Sequence, residues 1–171
     1  MSYRLLYPLR TYLISSGVYP EHYDIMAADW VTVVSAKPFI IAVSISPERY
    51  TYRLVKTHRE LVVAVPVLEH LSDVWVLGSE SGPSKLSRVK LKLKRGAVVK
   101  APVIEDAVAN LECRVVESKL YGDHELFIAE VVYTHRKPEV FTGGEPSLKY
   151  HFILHLARDE FTTIEGRVYK P

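Results

Sequence analysis

The sequence predicts a mainly β fold built as one antiparallel barrel. Three observations carry that reading. Valine supplies 23 of the 171 residues, and β-branched residues favour a pleated, half-buried surface. Short apolar runs recur along the chain, cut by Gly and Pro. Many such runs beside only two short helical segments make one antiparallel barrel.

Taken in order, Arg10–Ser16 is a strand that Gly17 and Pro20 are expected to end. Trp30–Ser35 and Phe39–Ser46 are apolar runs joined by Ala36-Lys37-Pro38, which reads as a hairpin or sharp corner, and Pro47 stops the second. Thr51–His58 is a helix with Thr51 as its N-cap, although Leu54 stands where a capping box has its acid. Glu60–Val65 is a buried strand ended by Pro66. Leu68, Leu71, Val74 and Trp75 fall at helical spacing, which predicts a helix over Leu68–Leu77. Gly78–Ser84 is a loop. Val98–Ala101, Ala109–Lys119 and Glu125–His135 are strands, and Tyr121-Gly122-Asp123-His124 joins the last two as an antiparallel pair. Thr142–Pro146 is a turn, Lys149–Leu156 a final strand, and the tail from Arg158 irregular. No repeat or linker interrupts the chain, so residues 1–171 are expected to form a single domain.

Composition narrows the class. With 48% hydrophobic and 25% charged residues, disordered, collagenous and coiled-coil chains are excluded. One cysteine, Cys113, excludes a disulfide framework and a cysteine-based zinc site. One Asn, no Gln and two Met mark a depletion of thermolabile residue types, the pattern expected of a thermophile. Survival of Asn110 against that bias predicts a structural side-chain hydrogen bond. A net charge of +2 gives no strong overall field. Met1–Leu13 has no signal-peptide pattern, and no apolar run approaches the roughly 18 residues of a membrane span, so a soluble, cytoplasmic protein is expected.

Candidate chemistry concentrates in a few places. Ser44-Ile45-Ser46-Pro47-Glu48-Arg49-Tyr50-Thr51 ends a strand in hydroxyls and then opens a helix with an arginine. Unpaired N–H groups and the positive dipole end of a helix suit a phosphate, and a guanidinium adds a charge-assisted contact. A capped helix with a solvated arginine is the alternative. Gly78-Ser79-Glu80-Ser81-Gly82-Pro83-Ser84-Lys85 offers glycines, hydroxyls and a lysine, yet lacks the Gly-Lys-Ser/Thr ending of a P-loop. The acid-free basic run from Lys85 to Lys100 suits either nucleic acid or a solvated charged face. Near-neutral overall charge and the absence of interleaved aromatics favour the face. His151 and His155, four apart on a strand, lie about 13 Å from each other, too far to share a metal. His124 sits in the Asp123 turn, where a ligand can reach it. No nucleophile elbow and no Gly-rich dinucleotide fingerprint occur.

From about Arg10 to His135 these segments resemble the flavin reductase-like family, the FMN-binding split barrels that include flavoredoxin. Asp24-Ile25-Met26-Ala27-Ala28-Asp29-Trp30 resembles that family's Asn-x-Met-x-x-x-Trp segment. Ser35 to Thr51 resembles its Ser-x-x-Pro-Pro strand and Arg-x-Thr phosphate turn, and Ser81–Leu86 its Ser-Gly-x-x-x-Lys-Phe loop. Ala109–Cys113, Gly122-Asp123-His124 and Glu130-Val131 resemble its second half. Asp24, Phe39 and Leu86 depart from the pattern by replacing Asn, Pro and Phe. A charged Asp24 close to a flavin would disfavour its anionic reduced form.

The resemblance implies a six-stranded Greek-key split barrel forming a homodimer, with FMN near the subunit interface. Ala27, Ala28, Asp29 and Trp30 would line the flavin ring. Ser44, Ile45, Ser46, Arg49, Tyr50 and Thr51 would form the phosphate segment, helped by Ser81, Gly82 and Lys85. His124 would serve catalysis on the nicotinamide side, with NADH or NADPH as co-substrate. The implied activity is an NAD(P)H:flavin oxidoreductase serving a redox partner protein or a flavin-dependent monooxygenase. A non-catalytic FMN electron carrier is the second reading, and a nucleic-acid-binding barrel the third.

Overall fold

The structure is a computed structural model describing residues 2–170. After a 3₁₀ turn at Tyr3–Leu6 come β1 (Leu9–Arg10), β2 (Tyr12–Val18), β3 (His22–Ala28), β4 (Val31–Ala36) and β5 (Phe39–Ile45). Helix α1 (Tyr50–His58), β6 (Glu60–Val65) and α2 (Leu71–Ser79) follow. A 3₁₀ turn at Pro83–Arg88 leads to β7 (Leu93–Arg95) and β8 (Pro102–Ile104). The long β9 (Ala109–Tyr121) and β10 (His124–Arg136) come next. Two small hairpins close the chain, β11 (Phe141–Thr142) with β12 (Glu145–Pro146) and β13 (Leu154–Ala157) with β14 (Glu160–Thr162).

The fold is mainly β with a few short helices. Its main sheet has seven antiparallel strands, in the order β3-β2-β6-β9-β10-β5-β4, where six were expected. No ladder joins the edge strands β3 and β4, so the sheet is not closed. Asp29-Trp30 carries the chain directly from one edge to the other, which brings the two edges together at that corner.

Alternation of side chains across the pleat builds two apolar layers. On β2, Ile14 faces a core with Ile45, Leu61, Val63, Cys113 and Phe127. Its neighbour Leu13 faces the opposite layer with Ile25, Val74, Leu77, Ile104 and Ile153. Burial pushes the Cys113 thiol up to about 12, with help from the charge of Glu112, so that sulfur is inert packing.

Several elements differ from expectation for identifiable reasons. Gly17 does not end its strand. It has φ +108, and a Cβ there would lie 2.3 Å from the His22 carbonyl oxygen, so only glycine lets β2 pair closely with β3. The helix starts at Tyr50, with Arg49 as N-cap two residues before the expected Thr51. Val98–Ala101 is a bend rather than a strand, because the buried Glu112 carboxylate accepts from the amides of Ala97, Val98 and Val99. Within the tail expected to be irregular, Glu160–Thr162 forms β14. Thr142–Pro146 holds the β11–β12 hairpin, and of the final expected strand Leu154–Leu156 lies in β13 while Phe152 makes an isolated bridge to Val67.

Asn110 meets its expectation. Its Oδ1 accepts from the Ile104 amide at 2.8 Å and its Nδ2 donates to the Ile104 carbonyl at 2.9 Å. Acids from elsewhere face the basic run: Arg88 pairs with Glu80, Lys92 with Asp106, Lys94 with Glu105 and Arg95 with Glu21. That segment is therefore a mixed surface rather than a positive strip. Among the described residues no helix is long and apolar enough to cross a membrane.

Candidate functional site

The corner where the sheet edges meet also forms the principal cleft. Its backbone is held by the Val31 amide donating to the Asp29 carbonyl and the Ser44 amide donating to the Trp30 carbonyl, both at 3.0 Å. A cavity of about 390 Å³ opens there. Ala27–Trp30, Ser44, Ile45, Ser46, Arg49, Tyr7 and His155 line it. His124 lines it as well, its ring 4.5 Å from that of Trp30 and inclined at 44°.

At the Arg49 end the cleft runs into a wider mouth of about 610 Å³, lined by Ser46, Arg49, Ser81 and His124 among others. Arg49 is half-buried, and its Nη1 donates to the Gly78 carbonyl at 2.8 Å. That bond aims the guanidinium and leaves its remaining donors for an anion. The Ser81 hydroxyl accepts from the Tyr50 amide at 3.0 Å, so it already serves the first turn of α1.

The remaining sequence candidates point elsewhere. Thr51 is fully buried and donates from Oγ1 to Asp24 Oδ2 at 2.5 Å. Tyr50 carries its hydroxyl 2.7 Å from His22 Nε2. Gly82 has φ +94 and caps the 3₁₀ turn that follows. Lys85, read as an anion ligand, is turned inward and only 2% exposed. Its Nζ lies 3.4 Å from Asp24 Oδ2 and donates to the carbonyls of Leu77 and Glu80. Burial pulls this ammonium below its ordinary value against the opposing pull of Asp24, with Arg49 adding to the lowering. Asp24 thus spends its charge on Lys85 behind the cleft, so it does not stand as a free negative charge in the lining. Its Oδ1 is buried without a hydrogen-bond partner among the described residues.

A second constellation lies within the cleft and has no local sequence signature. Asp29 Oδ1 accepts from Thr11 Oγ1 at 2.7 Å, and its Oδ2 accepts from the Tyr7 hydroxyl at 3.1 Å. His155 Nδ1 meets the same Oδ2 at 2.7 Å. A carbonyl oxygen only accepts, so His155 Nε2 is the donor in its 2.9 Å bond to the carbonyl of Arg158. Burial and then the Asp29 charge push the Tyr7 phenol up to about 12, which keeps it neutral. Tyr7, Thr11 and His155 reach Asp29 from 22, 18 and 126 residues away. Only the assembled fold reveals them.

Beyond this group a third lobe of about 260 Å³ adjoins the cleft, sharing Asp29, Arg49 and His155 with it. No group of three or more His, Cys, Asp or Glu suited to a metal occurs among the described residues.

Comparison with known proteins gives a consistent result. The family model described as "Flavin reductase like domain" matches residues 3–164. An uncharacterised protein of Pyrococcus abyssi is 47% identical over 168 residues, spanning 98% of this chain and 97% of its own. The FMN-binding protein of Thermus thermophilus, solved with bound 1-cyclohex-2-enone, superposes with a TM-score of 0.91 at 25% identity, over 99% of this chain and 94% of its own. Flavoredoxin of Methanosarcina acetivorans shares the fold with a TM-score of 0.86 at 24% identity, over 96% and 89% of the two chains.

Proposed function

Because the chain belongs to the flavin reductase like domain family, we propose that it is one domain that binds FMN and accepts hydride from NADH or NADPH. One observation carries the reading: a single cleft joins the paired rings of Trp30 and His124 to an aimed guanidinium, that of Arg49. A flat ring system attached to a phosphate needs both features. The residues fit the group. Backbone groups of Ala27–Trp30 would border the ring, while Arg49, Ser46 and Ser81 would hold the phosphate. Lys85 and Thr51 act from behind, by fixing Asp24 beneath that end. Bound FMN supplies a two-electron acceptor for the nicotinamide hydride. No side chain of the protein then needs to move a proton in that step. His124 would orient the nicotinamide through its exposed ring face.

The reduced flavin would serve a partner protein or a flavin-dependent monooxygenase. Val33 and Val34, exposed on the edge strand β4, offer an apolar surface for a homodimer contact.

The test begins with uptake of added FMN by the purified protein, followed by anaerobic addition of NADH and NADPH separately. Bleaching of the flavin is expected with one or both. Failure to take up FMN overturns the proposal, and FMN uptake without bleaching replaces it by the electron-carrier reading. Arg49→Ala is expected to weaken FMN binding by about 1.5–3 kcal/mol, the scale of a charged hydrogen bond. His124→Ala is expected to raise the nicotinamide KM while FMN stays bound.

A further inference from the structure

The lobe of about 260 Å³ beyond Asp29 has a chemistry of its own. The geometry points to it as a subsite for a small aromatic carboxylate, an inference that rests on FMN occupying the central cleft. Its walls are aromatic. Phe161 stacks on the His155 ring at 4.6 Å and 18°, and Trp75 meets Phe161 edge-on at 6.4 Å and 80°. Two rings set nearly at right angles offer a bound ring one face contact and one edge contact. Trp75 is 43% exposed, a large apolar surface left open at the lobe.

The charge balance selects an anion. With Arg49 committed to the FMN phosphate, Arg158 is the cation left to the lobe, and the lining carboxylate, Asp29, is already engaged by three hydrogen-bonding side chains. Arg158 makes no ion pair among the described residues. It occupies the first position of the two-residue turn between β13 and β14, with φ +51. Gly or Asn is the ordinary choice for such a position, since a side chain there is strained. The sequence instead places a long cation at the rim, and His155 Nε2 holds that residue's carbonyl. A guanidinium at this point can take a carboxylate through two parallel hydrogen bonds.

Size limits the ligand. The lobe falls just below the roughly 300–1,000 Å³ of sites for drug-sized molecules, so it admits one substituted ring and excludes a dinucleotide. Its shared wall with the cleft sets such a ring beside the proposed flavin position, where an electron acceptor or an inhibitor would lie.

Calorimetric titration of the FMN-loaded protein with benzoate and with benzyl alcohol tests the inference. Benzoate is expected to bind at least about tenfold more tightly, the scale of one charge-assisted hydrogen bond. Arg158→Gly, which suits the left-handed turn, is expected to abolish that preference while FMN affinity is unchanged. Trp75→Leu is expected to weaken both ligands. Absence of benzoate binding, equal benzoate affinity in Arg158→Gly, or competition between benzoate and FMN overturns the subsite. If the protein takes up no FMN, the functional reading fails separately, and benzoate titration of the apoprotein still decides whether the lobe binds an aromatic anion.

Discussion

Asp24 and Asp29 stand five residues apart, one on β3 and one in the turn after it, and their carboxylates meet different fates. Asp24 is fully buried beside one ammonium and one hydroxyl, with an oxygen left unpaired. Asp29 lines the cleft, and both of its oxygens are engaged by three side chains. Desolvation explains the contrast. A fully buried carboxylate persists only with a cation at hand, whereas one at a cleft stays partly hydrated and shares its charge among several side-chain donors. The first is a fastening under the phosphate end of the cleft, and the second shapes its wall.

The sharpest way to break this comparison is to remove the cation. Lys85→Met leaves Asp24 buried and unpaired, and is expected to cost about 3–5 kcal/mol of stability by urea denaturation. Adding Asp24→Asn to that variant should restore much of the loss, because the uncompensated charge is then gone. A Lys85→Met protein of wild-type stability would mean that Asp24 does not depend on the pair.

Asp29→Asn comes second. The amide loses a charged acceptor but leaves no buried charge behind, so about 1–3 kcal/mol is expected from the same measurement. A larger loss than in Lys85→Met would reverse the ranking of the two sites.

Glu125 gives the most pH-specific effect. Burial raises this carboxyl, but hydrogen bonds from Lys56, Tyr52 and Ser118 outweigh burial and bring it down to about 2. A depressed carboxyl stabilises the fold above its ordinary value of 4.5, and that contribution fades as pH falls towards about 2. Denaturation midpoints followed across that window should fall in the wild type and fall less in Glu125→Gln. Equal slopes would detach Glu125 from acid stability.

Legibility in the sequence followed the range of the interaction. Helix α2 and the β9–β10 ribbon are readable because their signals are local, apolar spacing in one and the Gly122-Asp123 turn in the other. Strand β3 carries no such local signal. Gly17 and Pro20 read as punctuation, when Gly17 in fact admits the backbone of His22. Arg49, Ser46 and Ser81 line one mouth, whereas Thr51 and Lys85 point to Asp24 instead. Residue type and spacing reveal that a lysine is near a loop, but only packing decides which way its ammonium turns. Likewise the bend at 97–99 depends on Glu112, whose three amide partners no propensity encodes.

The 126-residue span between Asp29 and His155 has a consequence for biogenesis. During synthesis Tyr7, Thr11 and Asp29 leave the ribosome early, and the long β9–β10 ribbon follows well before the β13–β14 hairpin. Until residues 154–162 emerge, the nascent chain holds an Asp29 with only its hydroxyl partners and a cleft open on one flank. The wall of the cleft that His155 supplies is therefore the last part of it to be built.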